Sequence, residues 1–198
     1  LTALLRHPAA KPLLFVLCAL PLAQLIWGAF SNSLGANPAE ALIRGLGDWT
    51  LRLLCLSLAI TPLRQALNQP LLARFRRMLG LWAFAYACLH LLAYAWLDMG
   101  LVPGDIVRDI TKRPFILMGF LAWALMLPLA ATSFNRAIRA LGGARWQALH
   151  RLVYGLALVG VAHFFWMRAG KNDFAEPAVY GLLLALLLGW RLLRAMRR

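Results

Sequence analysis

The sequence predicts an all-α integral membrane protein, a six-transmembrane-helix bundle with its N- and C-termini cytoplasmic. Three observations carry that prediction. Of 198 residues, 62% are hydrophobic and eight are tryptophan, more apolar surface than a water-soluble domain of this length can bury. The apolar residues gather into six runs, at about 13–30, 46–63, 79–97, 115–132, 148–166 and 177–193, each near the ~20 residues that a helix needs to cross a bilayer. The Lys and Arg residues are shared unevenly among the segments that connect these runs. Because the runs are continuous rather than alternating, helices that satisfy their own backbone in lipid are indicated, not a barrel. Residues 1–198 read as a single domain with no internal repeat and no low-complexity segment.

Residues 1–23 share the basic start, apolar run and small residues of a secretory signal, but Leu13–Phe30 is long enough to cross and further spans follow. It is expected to be a retained first helix. Pro21 and Pro128 fall inside spans and predict local kinks. Cys18, Cys55 and Cys88 each lie in an apolar run with no CxxC spacing, which suits small buried packing residues better than a disulfide framework or a zinc site.

The connecting segments set the orientation. Arg6 and Lys11, then Arg64, Arg74, Arg76 and Arg77, then Arg136, Arg139, Arg145 and Arg151, and finally Arg191, Arg194, Arg197 and Arg198 fall on one side of a six-helix zigzag. The other side holds Arg44, Arg52, Arg108, Lys112, Arg113, Arg168 and Lys171, together with every acid of the chain: Glu40, Asp48, Asp98, Asp105, Asp109, Asp173 and Glu176. The first side therefore carries the whole net charge of +14 and is placed in the cytoplasm by the positive-inside rule. Topology accounts for the basicity, and no nucleic-acid partner is implied; the partner that composition requires is the lipid bilayer.

Ionisable side chains inside a bilayer mark function, and three histidines lie in the apolar runs. His90 is on the third, on a face with Gly80, Ala83, Ala87 and Tyr94; such a small-residue stripe admits either a flat macrocycle or a close helix neighbour. The third and fifth runs point the same way. Counted from Leu79 and Ala148 at ~1.5 Å per residue, His90 lies roughly 16 Å in, His163 roughly 22 Å and His150 about 3 Å. His90 and His163 thus suit an opposing axial pair for haem iron in the outer half. Zinc would want further ligands, and a proton relay would want carboxylates, which these runs lack. His150 belongs near the cytoplasmic surface, off the face of His163, where contact with lipid headgroups is its alternative use.

Three stretches carry a resemblance. RRMLGLWAFAYACLHLLAY (76–94), LRLLCLSLAITPLR (51–64) and RWQALHRLVYGLALVGVAHFF (145–165) resemble the ferric-reductase-like transmembrane family, and within it the haem-binding membrane subunits of bacterial periplasmic protein-methionine-sulfoxide reductases. The likeness covers essentially the whole chain. In the wider family two histidines on each of two helices hold two stacked haems. Here His90 and His163 match the outer axial pair, while Arg76 stands where the partner of His150 would be, so His150 is left as a ligand of a second haem or another inner site. The resemblance implies haem b, an FMN, and electrons from a cytoplasmic flavin reductase or the quinone pool. It also implies a periplasmic molybdopterin methionine-sulfoxide reductase as partner and the bacterial cell inner membrane as location. The catalytic site for methionine sulfoxide is expected on that partner.

Arg52 reads either as a residue snorkelling to headgroups or as a contact for a haem propionate, and the cytoplasmic arginines, Arg76 among them, as contacts for a phosphate. Trp27, Trp49, Trp96, Trp166, Trp82 and Trp146 sit near span ends, as an aromatic belt would place them. His7 is expected to be inert, and Tyr94 and Tyr154 to be packing residues. The connection 98–114 is the expected docking surface. A transporter would show paired broken helices in its two halves, which this sequence lacks; a ferric reductase would use the same cofactor with another acceptor.

Overall fold

The computed structural model describes residues 2–170 and 172–197. Leu1, Lys171 and Arg198 lie outside them, so the charge reading rests on sequence alone for the last two. Among the described residues, six helices are long and apolar enough to cross a membrane: Ala10–Phe30, Pro38–Ala66, Pro70–Asp98, Pro114–Ala131, Gly143–Ala169 and Ala175–Met196. Each covers one of the expected runs to within a residue. The chain divides into two compact units, Leu1–Leu101 and Val102–Arg198, with three of these helices in each.

The first unit comprises α1 (Thr2–Arg6), α2 (Ala10–Phe30), α3 (Pro38–Ala66), a 3-10 turn (Pro70–Leu72) and α4 (Ala73–Ala93), which runs into a π-turn at Tyr94–Asp98. Helix α3 begins well before its apolar run because its first turn is capped. The Glu40 N–H donates to Asn37 Oδ1 at 3.1 Å, Pro38 sits where an N–H would go unused, and Glu40 pairs with Arg44. A cap of this kind is worth about 1 kcal/mol. This places Arg52 in the middle of α3, not a few residues inside its start as the apolar run alone suggested.

Helices α3 and α4 pack side by side, with α2 against both. Ser57 donates to the Arg76 carbonyl at 3.3 Å, and a Cβ on Gly80 would meet Ser57 Oγ at 3.7 Å, so this end of the small-residue stripe serves helix packing. The Tyr86 hydroxyl donates to the Cys18 carbonyl at 2.8 Å, tying α4 to α2. Around it Phe15, Trp82 and Trp49 gather from three helices, with ring centroids 4.9 Å (Phe15–Trp82), 6.0 Å (Trp82–Tyr86) and 6.4 Å (Trp49–Tyr86) apart. Trp49 and Trp82 are therefore cluster residues rather than belt residues. Cys18 and Cys55 are buried and unbridged, as small packing residues should be.

The second unit comprises α5 (Pro103–Lys112), α6 (Pro114–Ala131), α7 (Asn135–Leu141), α8 (Gly143–His150), α9 (Leu152–Ala169) and α10 (Ala175–Met196). Helices α6 and α9 form its central pair, α10 packs on α9, and α5 and α8 touch α6. The expected single helix at 148–166 is α8 and α9 joined at Arg151. The Arg151 N–H is shared between the Gln147 and Ala148 carbonyls, both at 3.2 Å, a local tightening toward 3-10 geometry. Gly142, at φ +75°, separates α7 from α8 in a conformation that residues with a Cβ rarely adopt. At the α9–α10 corner Arg168 bonds Asp173 at 2.8 Å and Glu176 at 2.6 Å. Helix α5 lies within the connection 98–114; Ile106 and Ile110 are half-buried along it, and Val107 is exposed.

Large apolar side chains stand exposed along the long helices, among them Phe15 and Leu20 on α2, Leu158 on α9, and Leu182 and Leu186 on α10. Water would penalise such a surface and hydrocarbon would not. Trp27, Trp96 and Trp166 are exposed near helix ends, as the belt predicts.

Candidate functional site

In the first unit, α4 carries His90 against α3. The ring lies where a side chain at Gly47 would be: a Cβ built there would sit 3.1 Å from Cε1 and 3.2 Å from Nδ1. One turn before Gly47, the Ile43 carbonyl oxygen is 2.8 Å from His90 Nδ1. A carbonyl only accepts, so Nδ1 carries the proton, and in the neutral ring the lone pair is on Nε2.

The second unit repeats the arrangement on other helices. His163 on α9 places Nδ1 2.6 Å from the Phe115 carbonyl oxygen of α6, and Gly119, one turn on, faces the ring. Here the fit is tighter: a Cβ at Gly119 would lie 2.8 Å from Cε1, 3.0 Å from Nδ1 and 3.1 Å from Nε2. The Phe115 ring is stacked with the imidazole, centroids 6.5 Å apart at 22°. Again the lone pair falls on Nε2. A metal-binding histidine has this form, its second nitrogen donating to an acceptor that fixes tautomer and orientation.

His150 ends α8 and is held differently. Its Nε2 is 3.1 Å from Thr132 Oγ1, and its ring stacks on Trp146 with centroids 3.9 Å apart. Trp146 Nε1–H donates to the Thr132 carbonyl at 2.9 Å. The Thr132 hydroxyl spends its proton on the Pro128 carbonyl, 2.7 Å away, and so accepts from His150 Nε2–H. The neutral ring of His150 thus has the opposite tautomer. Trp146, expected in a lipid-facing belt, instead packs on this histidine.

Among the described residues no three His, Cys, Asp or Glu side chains gather as a metal-binding group. His90 and His163 each offer one oriented imidazole nitrogen, the donor set of a metal whose other ligands come from a macrocycle. The glycine gap beside each ring and the helix carbonyl on each Nδ1 fit a haem ligand. Arg52 is half-buried, its guanidinium 4.9 Å from the Trp49 ring centre. It follows Gly47 by five residues, about 140° around α3, and so lies on another face. Arg76 is exposed in the first turns of α4, about 21 Å along the helix from His90.

Ile43, Gly47, Phe115 and Gly119 were not foreseen as site residues, nor were Thr132 and Trp146. A glycine inside an apolar run is a signal of close approach, and Gly47 and Gly119 both have it. The carbonyls left no mark on the sequence, since every residue has one.

The family described as ferric reductase like transmembrane component matches residues 46–161. The chain is 64% identical over 187 residues to the protein-methionine-sulfoxide reductase heme-binding subunit MsrQ of Polaromonas naphthalenivorans, covering 94% of this chain and 85% of that one. It is 53% identical to the protein of the same name from Bordetella pertussis, over 95% of this chain and 91% of the relative. With that of Caulobacter vibrioides it shares 47% identity, over 90% and 84%. No solved structure gives a significant match.

Proposed function

This chain belongs to the ferric reductase like transmembrane component family, and from that premise we propose that it is the haem b electron-transfer subunit of a bacterial system that repairs oxidised methionine. It is a multi-pass membrane protein. We place it in the inner membrane with both termini cytoplasmic, on the Lys/Arg asymmetry, and read residues 1–198 as one domain, since the family match runs through both units.

His90 and His163 would hold the main haem. Bound there, haem b supplies one-electron exchange inside a bilayer that ions and polar reductants do not cross. The chain's own groups do the rest. The Ile43 and Phe115 carbonyls hold the Nδ1 protons and keep Nε2 basic, and the apolar helices exclude water. His150 gives Nε2–H to Thr132 and so carries its lone pair on Nδ1; we assign it as ligand of a second haem or inner group, not of the main one. Arg52 and Arg76 are proposed contacts for a propionate or a flavin phosphate, through charge-assisted hydrogen bonds.

The partner is a periplasmic molybdopterin methionine-sulfoxide reductase, and the name of the relatives supports that reading. Reduction of a methionine sulfoxide consumes two electrons and two protons and releases water, so the haem subunit must deliver electrons twice per repair. The donor is a cytoplasmic flavin reductase or the quinone pool, with FMN as the further cofactor. Helix α5 in the connection 98–114 is the proposed docking segment.

The observation that carries this reading is the pair of histidines, each with Nδ1 on a helix carbonyl and a glycine at its ring. Purified in detergent and reduced, the protein should show a low-spin b-type spectrum; absence of haem after expression with ample haem supply would overturn it. The family description favours a second reading, reduction of ferric iron. Comparing reoxidation by the periplasmic partner with reoxidation by ferric chelates separates the two.

A further inference from the structure

We propose that Gly47 and Gly119 are positioning residues that set the reduction potential of the haem, by admitting each ligand histidine deeply enough for its Nδ1–H to reach a helix carbonyl. The proposal rests on the haem reading above and assigns a part to residues that read on their own as packing glycines. In both units the pattern is the same: a carbonyl at one position of a helix, a glycine four residues later, and an imidazole from the neighbouring helix lying over both. Residues at that spacing lie one above the other on one face. A β-carbon on the glycine therefore points at the ring that the preceding turn's carbonyl must reach.

The distances decide what a methyl group does. At Gly119 it would stand 2.8 Å from Cε1 and 3.0 Å from Nδ1 of His163, closer than carbon atoms approach without displacement. The ring must back away, and a bond of 2.6 Å to Phe115 cannot survive much retreat. At Gly47 the closest approach is 3.1 Å, so His90 is displaced less. At Gly155 and Gly160 on α9, by contrast, an added Cβ would meet nothing within 4 Å among the described residues beyond the adjacent residues and the backbone of its own helix.

A donated Nδ1–H makes Nε2 a stronger electron donor and favours the ferric state. Loss of that donation weakens the ligand, so the potential should rise. Spectroelectrochemical titration of the purified holoprotein, with low-spin EPR, reads this directly. Gly119→Ala is expected to raise the midpoint potential and alter the g-anisotropy, Gly47→Ala to do so less, and Gly155→Ala and Gly160→Ala to leave both unchanged. Haem bound normally with unchanged potentials in Gly119→Ala and Gly47→Ala would overturn the proposal and leave the haem reading intact; no haem in the parent protein would overturn that reading instead.

Should Gly119→Ala fail to fold, ligand replacement decides. A His163→Gly protein is supplied with imidazole or with 1-methylimidazole, which has no N–H for the Phe115 carbonyl. Imidazole should bind roughly fivefold tighter, the ratio one net hydrogen bond gives, and yield the lower potential. Equal affinities and potentials would overturn the proposal.

Discussion

His150 and His163 stand thirteen residues apart on the span formed by α8 and α9, and their rings meet the rest of the second unit through different nitrogens. His163 gives Nδ1 to a backbone carbonyl of α6 and has a glycine against its ring. His150 gives Nε2 to the hydroxyl of Thr132, just past the end of α6, and has an indole against its ring. The same residue type on the same stretch is thereby held in one tautomer in one place and in the opposite tautomer in the other. What separates them is the neighbouring helix: a carbonyl beside a gap selects one tautomer, a hydroxyl already committed to a carbonyl selects the other.

The largest effect that would test this contrast is loss of the ligand itself. His163→Ala, and equally His90→Ala, should remove the main low-spin haem, measured as haem per protein by the pyridine haemochrome and by iron analysis. His150→Ala should retain most of that haem; losses equal to those of His163→Ala would erase the distinction. A smaller effect is expected from Thr132→Val, which keeps the shape and removes the acceptor. Thermal unfolding in detergent should register a loss of roughly 1–2 kcal/mol, with the spectrum of the main haem unmoved. A spectral change would instead place His150 at the main iron. Smallest is Tyr86→Phe, which removes the bond to the Cys18 carbonyl in the first unit; a loss of about 1 kcal/mol without change in haem content would mark that unit's α2–α4 contact as purely structural.

The spans and the histidines were legible because hydrocarbon imposes length and polarity on a sequence with little ambiguity. Legibility ended wherever a neighbour decided. Helix α3 extends past its apolar run since Asn37, Pro38 and Glu40 build a start in polar sequence, which hydropathy does not register. The 3.6-residue phase of α4 is lost after Ala93, where a π-turn begins; the sequence Tyr94–Asp98 has no proline or glycine to announce it. Trp49, Trp82 and Trp146 resemble belt residues by position, and only the rings beside them distinguish a cluster from a belt. The candidate site was half visible: the histidines could be named from the sequence, whereas the groups that orient their rings are main-chain atoms.

That the acceptors are Ile43 O and Phe115 O bears on how the protein can vary. A carboxylate in that role could be deleted by a single codon change, and its charge would track proton concentration. A peptide oxygen has neither weakness: it accompanies any amino acid at positions 43 and 115 except where the helix itself is broken. Substitution at position 43 or 115 therefore leaves an acceptor for each Nδ1–H in place, while at 115 it also takes away the ring stacked on His163.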